Sequence, residues 1–246
     1  MYTTHIWGKF NLCRSKVALI IFVTVLPLFN CLGQRQVGVN NPNYDNRFIS
    51  YGFLIGLHTT TYQLKYSDQF TSRDLDNIYS ISPKWSPGFS LGFIVNLKLA
   101  DFLDFRVLPK VAFYEHELEY RFLDDTPTKQ ELVETTVVEF PIVFKYKSER
   151  RGNNRMYFVG GVKPGFEASG KNDLEAVGDD NLPINEFNFS AELGFGLDIY
   201  YPLFKFSPEI RFSKGLANML GSDVNELSAG IDRLSTNTVT LYLLFQ

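Results

Sequence analysis

A chain of 246 residues, 45% hydrophobic and 15% aromatic, is long enough for a sizeable fold, and a single β-barrel or sandwich can use all of it. Its net charge of -3 offers no basic stripe for a nucleic-acid partner. The 23 Phe and 13 Tyr suit strands and membrane interfaces, and a plain all-β core would use them too.

The N-terminus reads as a secretory signal. Lys9, Arg14 and Lys16 form a positive region, followed by an apolar run from Val17 to Phe29 that is too short for a comfortable membrane helix. Cys31 and Gly33 supply small residues at positions -3 and -1 for cleavage before Gln34. A lipoprotein signal at Cys31 is the other reading, but it wants a small residue just before the cysteine, and Asn30 stands there after Phe29. The expected organisation is a signal peptide at 1–33, a short periplasmic segment at 34–49 and a barrel at 50–246. The only cysteines, Cys13 and Cys31, fall in the signal, so the mature chain is expected to have neither disulfide nor thiolate chemistry. No later run reaches about 18 apolar residues, the length of a membrane helix.

Eight alternating stretches follow. The first runs from about Tyr51 to Thr61, with Phe53, Ile55 and Leu57 opposite Gly52, Gly56 and His58. The second, Phe89 to Leu99, alternates with one exception, Ile94. The third sets Phe105, Val107, Val111 and Phe113 against Arg106, Lys110 and Tyr114. The fourth sets Val138, Phe140, Ile142, Phe144 and Tyr146 against Glu139, Val143 and Lys145. The fifth sets Met156, Phe158, Val162 and Phe166 against Tyr157, Lys163 and Glu167. The sixth, Phe187 to Ile199, puts Asn188, Ser190, Glu192, Gly194, Gly196 and Asp198 on its polar face. The seventh sets Phe204, Phe206, Ile210 and Phe212 against Lys205, Ser207, Glu209 and Arg211. The eighth sets Val239, Leu241, Leu243 and Phe245 against Thr238, Thr240 and Tyr242. A strand presents successive side chains to opposite faces, so each stretch has one apolar and one polar face. Pro109, Pro141, Pro164 and Pro208 remove ladder donors and are expected at bulges or bends.

The connections alternate in length. Long polar segments are expected at about Tyr62 to Trp85, around Asp124 to Pro127, at Gly170 to Asn185 and at Gly215 to Ser235. Tight links are expected at Ala100–Phe102, Arg151–Asn154 and Tyr201–Pro202. Long loops outside, short turns in the periplasm, both termini periplasmic and an even strand count are how outer-membrane barrels are built. The predicted fold is therefore an all-β, eight-stranded antiparallel transmembrane outer-membrane β-barrel.

In a soluble barrel the apolar face would point inward, and in a membrane barrel it points to lipid. Glycines on the polar face (Gly52, Gly56, Gly92, Gly194, Gly196) suit a narrow interior. The same face carries both signs, which an interior must pair: Arg106, Lys110, Lys145, Lys163, Lys205 and Arg211 with Glu139, Glu167, Glu192, Asp198 and Glu209. An ordinary solvated face is the competing reading of these charges. Tyr51, Tyr66, Trp85, Tyr120, Tyr146, Tyr200 and Tyr201 fall at strand ends, where an aromatic girdle sits. An eight-stranded barrel has room inside only for side chains, so its activity should lie in loops or partners.

No catalytic, cofactor or metal site is predicted. The mature histidines, His58 and His116, form no ligand spacing, and His58, Ser90 and Asp198 could share one lumen without a nucleophile-elbow sequence to order them. Asp173, Glu175, Asp179 and Asp180 lack the ligand spacing of a calcium loop and read as a solvated acidic segment. Outer-membrane lipid is the expected partner, with no nucleic acid and no evident small-molecule substrate.

Two segments go further than barrel pattern: Asn41-Pro42-Asn43-Tyr44-Asp45 leading into Tyr51 to Leu57, and Tyr79 to Lys84 leading through Ser86-Pro87-Gly88 to Gly92 and then Leu103 to Pro109. Together they resemble the PorT family of Bacteroidetes outer-membrane barrels. That resemblance implies a non-catalytic component of the type IX secretion system, working with other components of that system, and gliding motility in gliding members. A structural or adhesive small barrel acting through its loops is the alternative.

Overall fold

The computed structural model describes residues 38–67, 78–122, 129–168, 185, 187–221 and 230–246. Val39–Gln246 form one compact unit. The predicted signal peptide and the acidic segment around Asp173 to Asp180 lie outside the described residues.

Among the described residues eleven antiparallel strands make one sheet: β1 (Ile49–Tyr66), β2 (Ile78–Pro83), β3 (Ser86–Lys98), β4 (Leu103–Val107), β5 (Lys110–Phe122), β6 (Lys129–Glu139), β7 (Ile142–Lys147), β8 (Asn154–Glu167), β9 (Phe187–Tyr200), β10 (Lys205–Gly215) and β11 (Ile231–Phe245). The excess over the eight predicted stretches has two physical causes. Between β4 and β5, and between β6 and β7, the ladder lapses at Pro109 and Pro141, which have no N–H to give. The register nevertheless runs straight through: Val95 pairs Val107 and Gly92 pairs Lys110, with no residue gained or lost. The bulges expected at these prolines are therefore absent. Proline carbonyls still accept cross-strand bonds, Pro109 from Phe93 N–H (2.9 Å) and Pro141 from Leu108 N–H (3.0 Å). The break at Lys84–Trp85 differs. Pairing slips by one residue between Pro83↔Leu118 and Phe89↔Phe113, a true bulge. The buried parity switches with it, from odd at Ile81 to even at Ser86. Joined across these three interruptions, the eleven strands form eight staves.

The staves close on themselves. Following paired residues, Tyr51 leads to Val95, Val107, Ile142, Val162, Ala191, Lys214 and Asn237, and Asn237 pairs back to β1 at Thr61. The return is ten residues along β1 from the start, from position 51 to 61. Eight staves with that stagger tilt about 40° from the barrel axis, within the ordinary range for barrels. Where the ring is complete, closure removes the free edges that invite aggregation; beyond it, β2 and the outer part of β6 are each paired to β5.

The apolar face is on the outside. Phe93, Phe158 and Leu193 are 69%, 67% and 70% exposed, and Phe53, Phe89, Leu91, Phe144, Phe195 and Phe212 stand beside them on the same surface. Inward positions are small, polar or charged over most of the barrel. The exception near the short-turn end is an apolar inner cluster of Leu54, Ile94, Leu108, Val143, Val159 and Leu244, so Ile94 serves this cluster where sequence alternation marks it as an error. The strands also run further than predicted at the opposite end. Residues 62–66, 78–83 and 115–122, expected as loop or beyond the strands, are strand. Tyr62, Ile81, Leu118, Met219, Ile231 and Leu234 form a second apolar core there.

Candidate functional site

Period-two geometry sends the even-numbered residues of β3, β4, β5, β9 and β11 and the odd-numbered residues of β7, β8 and β10 into one lumen. The charges of both signs meet there. Asp104, nearest the short turns, accepts from Lys147 Nζ at 2.6 Å and Asn96 Nδ2 at 3.2 Å. Asp198 takes Lys145 Nζ on both oxygens (2.8 and 2.6 Å) and the Ser207 hydroxyl at 2.6 Å. Glu209 accepts from Arg106 Nη1 at 3.0 Å, from Tyr157 Oη at 2.7 Å and from Arg211 Nε. Glu192 accepts from Arg211 Nη1 at 3.0 Å and Ser213 Oγ at 2.8 Å, with Lys163 Nζ 3.9 Å away. Glu139 meets Lys110 Nζ at 2.5 Å, Lys163 Nζ at 2.9 Å and Tyr114 Oη at 2.8 Å.

Every one of these five carboxylates has at least two donors, as buried charge requires. An unpaired ion out of water costs several kcal/mol, roughly, even after relaxation. Aromatic rings complete the packing. Lys145 Nζ sits 3.7 Å from the Tyr157 ring centroid, and the Arg211 guanidinium lies 4.7 Å from that of Tyr242. Glycine makes space for both rings: a Cβ on Gly196 would overlap the Tyr157 ring, and one on Gly56 would stand 2.9 Å from Tyr242 Cε1.

Of the eleven predicted lumen charges, nine fall into these ion pairs. Lys205 is buried as well, with its ammonium 4.5 Å from the Tyr44 ring centroid. Glu167 is half-buried and lines a cavity of about 30 Å³ with Tyr114, His116, Lys163 and Thr236, a space fit for a water or two. His58 packs its ring 4.4 Å from that of Tyr114, while Asp198 bonds Lys145 and Ser207 and not the histidine. Among the described residues no group of three or more His, Cys, Asp or Glu is placed to hold a metal.

Sequence reasoning missed Asp104 and Lys147, although each lies two residues from a predicted lumen charge and so shares its face. It also put Tyr200 in the girdle. Tyr51, Tyr66, Trp85, Tyr146 and Tyr201 are exposed at strand ends, but Tyr200 is buried and points inward, and the Tyr120 side chain lies outside the described residues.

The short-turn mouth holds a second group. Residues 40–46, including a 3-10 turn at Tyr44–Asn46, lie against the turn 148–153 and the end of β9. Asp45 accepts from both terminal nitrogens of Arg155 (2.9 and 3.2 Å) and from Tyr200 Oη at 2.9 Å, with Arg150 Nη1 at 3.6 Å.

Residues 34–221 match the family described as outer membrane protein beta-barrel domain. The chain belongs to this family. As an outer-membrane barrel it has its apolar surface against membrane lipid. Among solved structures it is similar to the outer membrane protein OprG of Pseudomonas aeruginosa, at 13% identity over 80% of this chain and 94% of that one, with a TM-score of 0.43. Neisserial surface protein A is similar at 9% identity, 80% and 98% coverage and a TM-score of 0.41. Ail, the attachment invasion locus protein of Yersinia pestis, is similar at 12% identity, 79% and 96% coverage and a TM-score of 0.34. No curated protein matches the chain in sequence.

Proposed function

We propose that this outer-membrane barrel is a non-catalytic scaffold supporting protein export by the type IX secretion system, with a part in gliding motility where that occurs. The observation that carries the scaffold reading is the filled lumen. Buried ion pairs such as Arg106–Glu209, which crosses the barrel, and Lys145–Asp198 occupy the space a solute would need. Work is thereby left to surfaces and partners, here other secretion components. The choice of system rests on the resemblance of Asn41–Asp45, Tyr51–Leu57 and Tyr79–Pro109 to the PorT family. In this reading residues 1–33 are a cleaved signal, 34–49 a periplasmic lead-in, and the short-turn end with both barrel termini faces the periplasm. A deletion strain tests it: loss of secreted and surface cargo from cells with an intact outer membrane is expected, and normal export contradicts it.

One observation favours a second reading, an adhesive barrel acting through its outer end. The strands extend past the outward aromatics and build their own core of Tyr62, Ile81, Leu118 and Leu234, a rigid platform for loops. Shortening the segments 68–77 and 222–229 would then abolish surface binding and leave secretion untouched.

A further inference from the structure

The Asp45 carboxylate is held by a receptor that other strands build. Arg155, on β8, is nine-tenths buried and presents two terminal nitrogens to the two carboxylate oxygens, the bidentate geometry that singles out planar anions. Tyr200, at the end of β9, adds its hydroxyl. Arg150 stacks its guanidinium 3.7 Å from the Tyr200 ring centroid and faces the same carboxylate. Among the described residues the buried Arg155 Nε meets no hydrogen-bond acceptor.

The strap that brings Asp45 there is tied to the barrel by side-chain contacts and single hydrogen bonds. Residues 38–48 pair with no strand as a ladder, and Pro42, Asn43, Asn46 and Arg47 are exposed. Besides the Asp45 contacts, the Phe48 carbonyl accepts from Lys98 N–H at 2.8 Å, and the Tyr44 ring centroid lies 5.8 Å from that of Tyr200 and 4.5 Å from Lys205 Nζ. Asn40 bonds Asn153 and Tyr200 (2.8 and 2.9 Å), Asn41 bonds Tyr201 (2.9 Å), and Arg150 reaches the Asn40 and Asn41 carbonyls.

We propose that Arg150, Arg155 and Tyr200 form a carboxylate-binding site at the short-turn mouth, that Asp45 is its resident intramolecular occupant, and that an acidic side chain of a docking protein exchanges with Asp45 to engage this end of the barrel. The site is autoinhibited by its own strap, so affinity for a second acidic segment is masked until the strap leaves. The biological setting rests on the reading that this end faces the periplasm, whereas the binding chemistry does not. It is therefore measured on purified full chain folded in detergent, away from secretion.

The probe is a fluorescent capped peptide of residues 40–48, titrated by anisotropy against the native chain and against Asp45→Asn, both shown folded by their gel mobility before heating. Saturable binding to Asp45→Asn and at least about tenfold weaker binding to the native chain are expected, as is a similar loss when the peptide carries Asn for Asp or when Arg155→Met is added. Equal binding to native and Asp45→Asn chains, no binding to either, or indifference to the peptide's carboxylate would each overturn the proposal. Export defects in cells would leave this result unchanged, so the two readings fail separately.

Discussion

Arg106 and Glu209 meet across the middle of the barrel, Nη1 to Oε2 at 3.0 Å, from staves that lie opposite each other in the ring. Neither has a neighbour in sequence to suggest the other. The ten-residue stagger brings them to one level, and both are fully buried. Tyr157 and Arg211 share the same carboxylate, so Glu209 ties inward side chains of three staves to a single charge.

Glu209→Gln is therefore expected to destabilise the barrel by about 3–5 kcal/mol, the usual cost of leaving buried cations without their counter-charge. Urea unfolding of the protein in lipid vesicles measures it. A loss under about 1 kcal/mol would mean that water reaches this level of the lumen.

Gly196 faces the Tyr157 ring so closely that any Cβ must displace it. Gly196→Val should cost about 1–3 kcal/mol through overpacking. Adding Tyr157→Ala should return part of that loss, because the ring being displaced is gone. A double variant no more stable than the sum of the two singles would contradict this packing.

The outer wall carries a matching test. Leu193 stands in the apolar band on β9. Leu193→Lys places a charge in lipid, with an expected loss of about 2–4 kcal/mol at the bilayer midplane. Thr240, inward on β11, gives the control: Thr240→Ser leaves the outer surface unaltered, and its shift should be about 1 kcal/mol, the cost of one buried methyl.

Beyond the level of Trp85, Lys84 joins Glu119 at 2.7 Å and Glu117 at 3.0 Å, and Arg121 joins Glu119. The hydrogen bonds from Lys84 and then Arg121 hold the Glu119 carboxyl below its ordinary value. A carboxylate lowered in this way adds stability that is present above its unfolded value of about 4.3 and is lost as pH falls through its folded value. The β2–β5 extension should loosen in that acidic window while the lumen below stays protected. Amide exchange at Lys84, which donates to the Glu117 carbonyl, reports it. Glu119→Gln should abolish the pH dependence.

Much of the barrel was legible because period two is a local property. Phe105 and Arg106, or Leu193 and Glu192, declare opposite faces from sequence alone. Which charge meets which was not legible, because it depends on stagger summed around the whole ring. Asp104 therefore pairs with Lys147, and Arg106 with the distant Glu209. The one-residue slip at Lys84–Trp85 left no sequence mark beyond a proline and an aromatic, and so β2 read as loop. Tyr200 read as girdle because its position at a strand end is right, but its even parity with Asp198 sends it inward to Asp45.

The central claim, that this chain presents its apolar face to lipid around a filled polar lumen, is tested by leucine methyl NMR in lipid nanodiscs. Cross-peaks from lipid acyl chains are predicted to Leu57, Leu91, Leu193 and Leu241, which stand on the outer wall, and not to Leu54, Leu108 and Leu244, which are buried inside. Acyl-chain contacts to the second set, or their absence from the first, would contradict it.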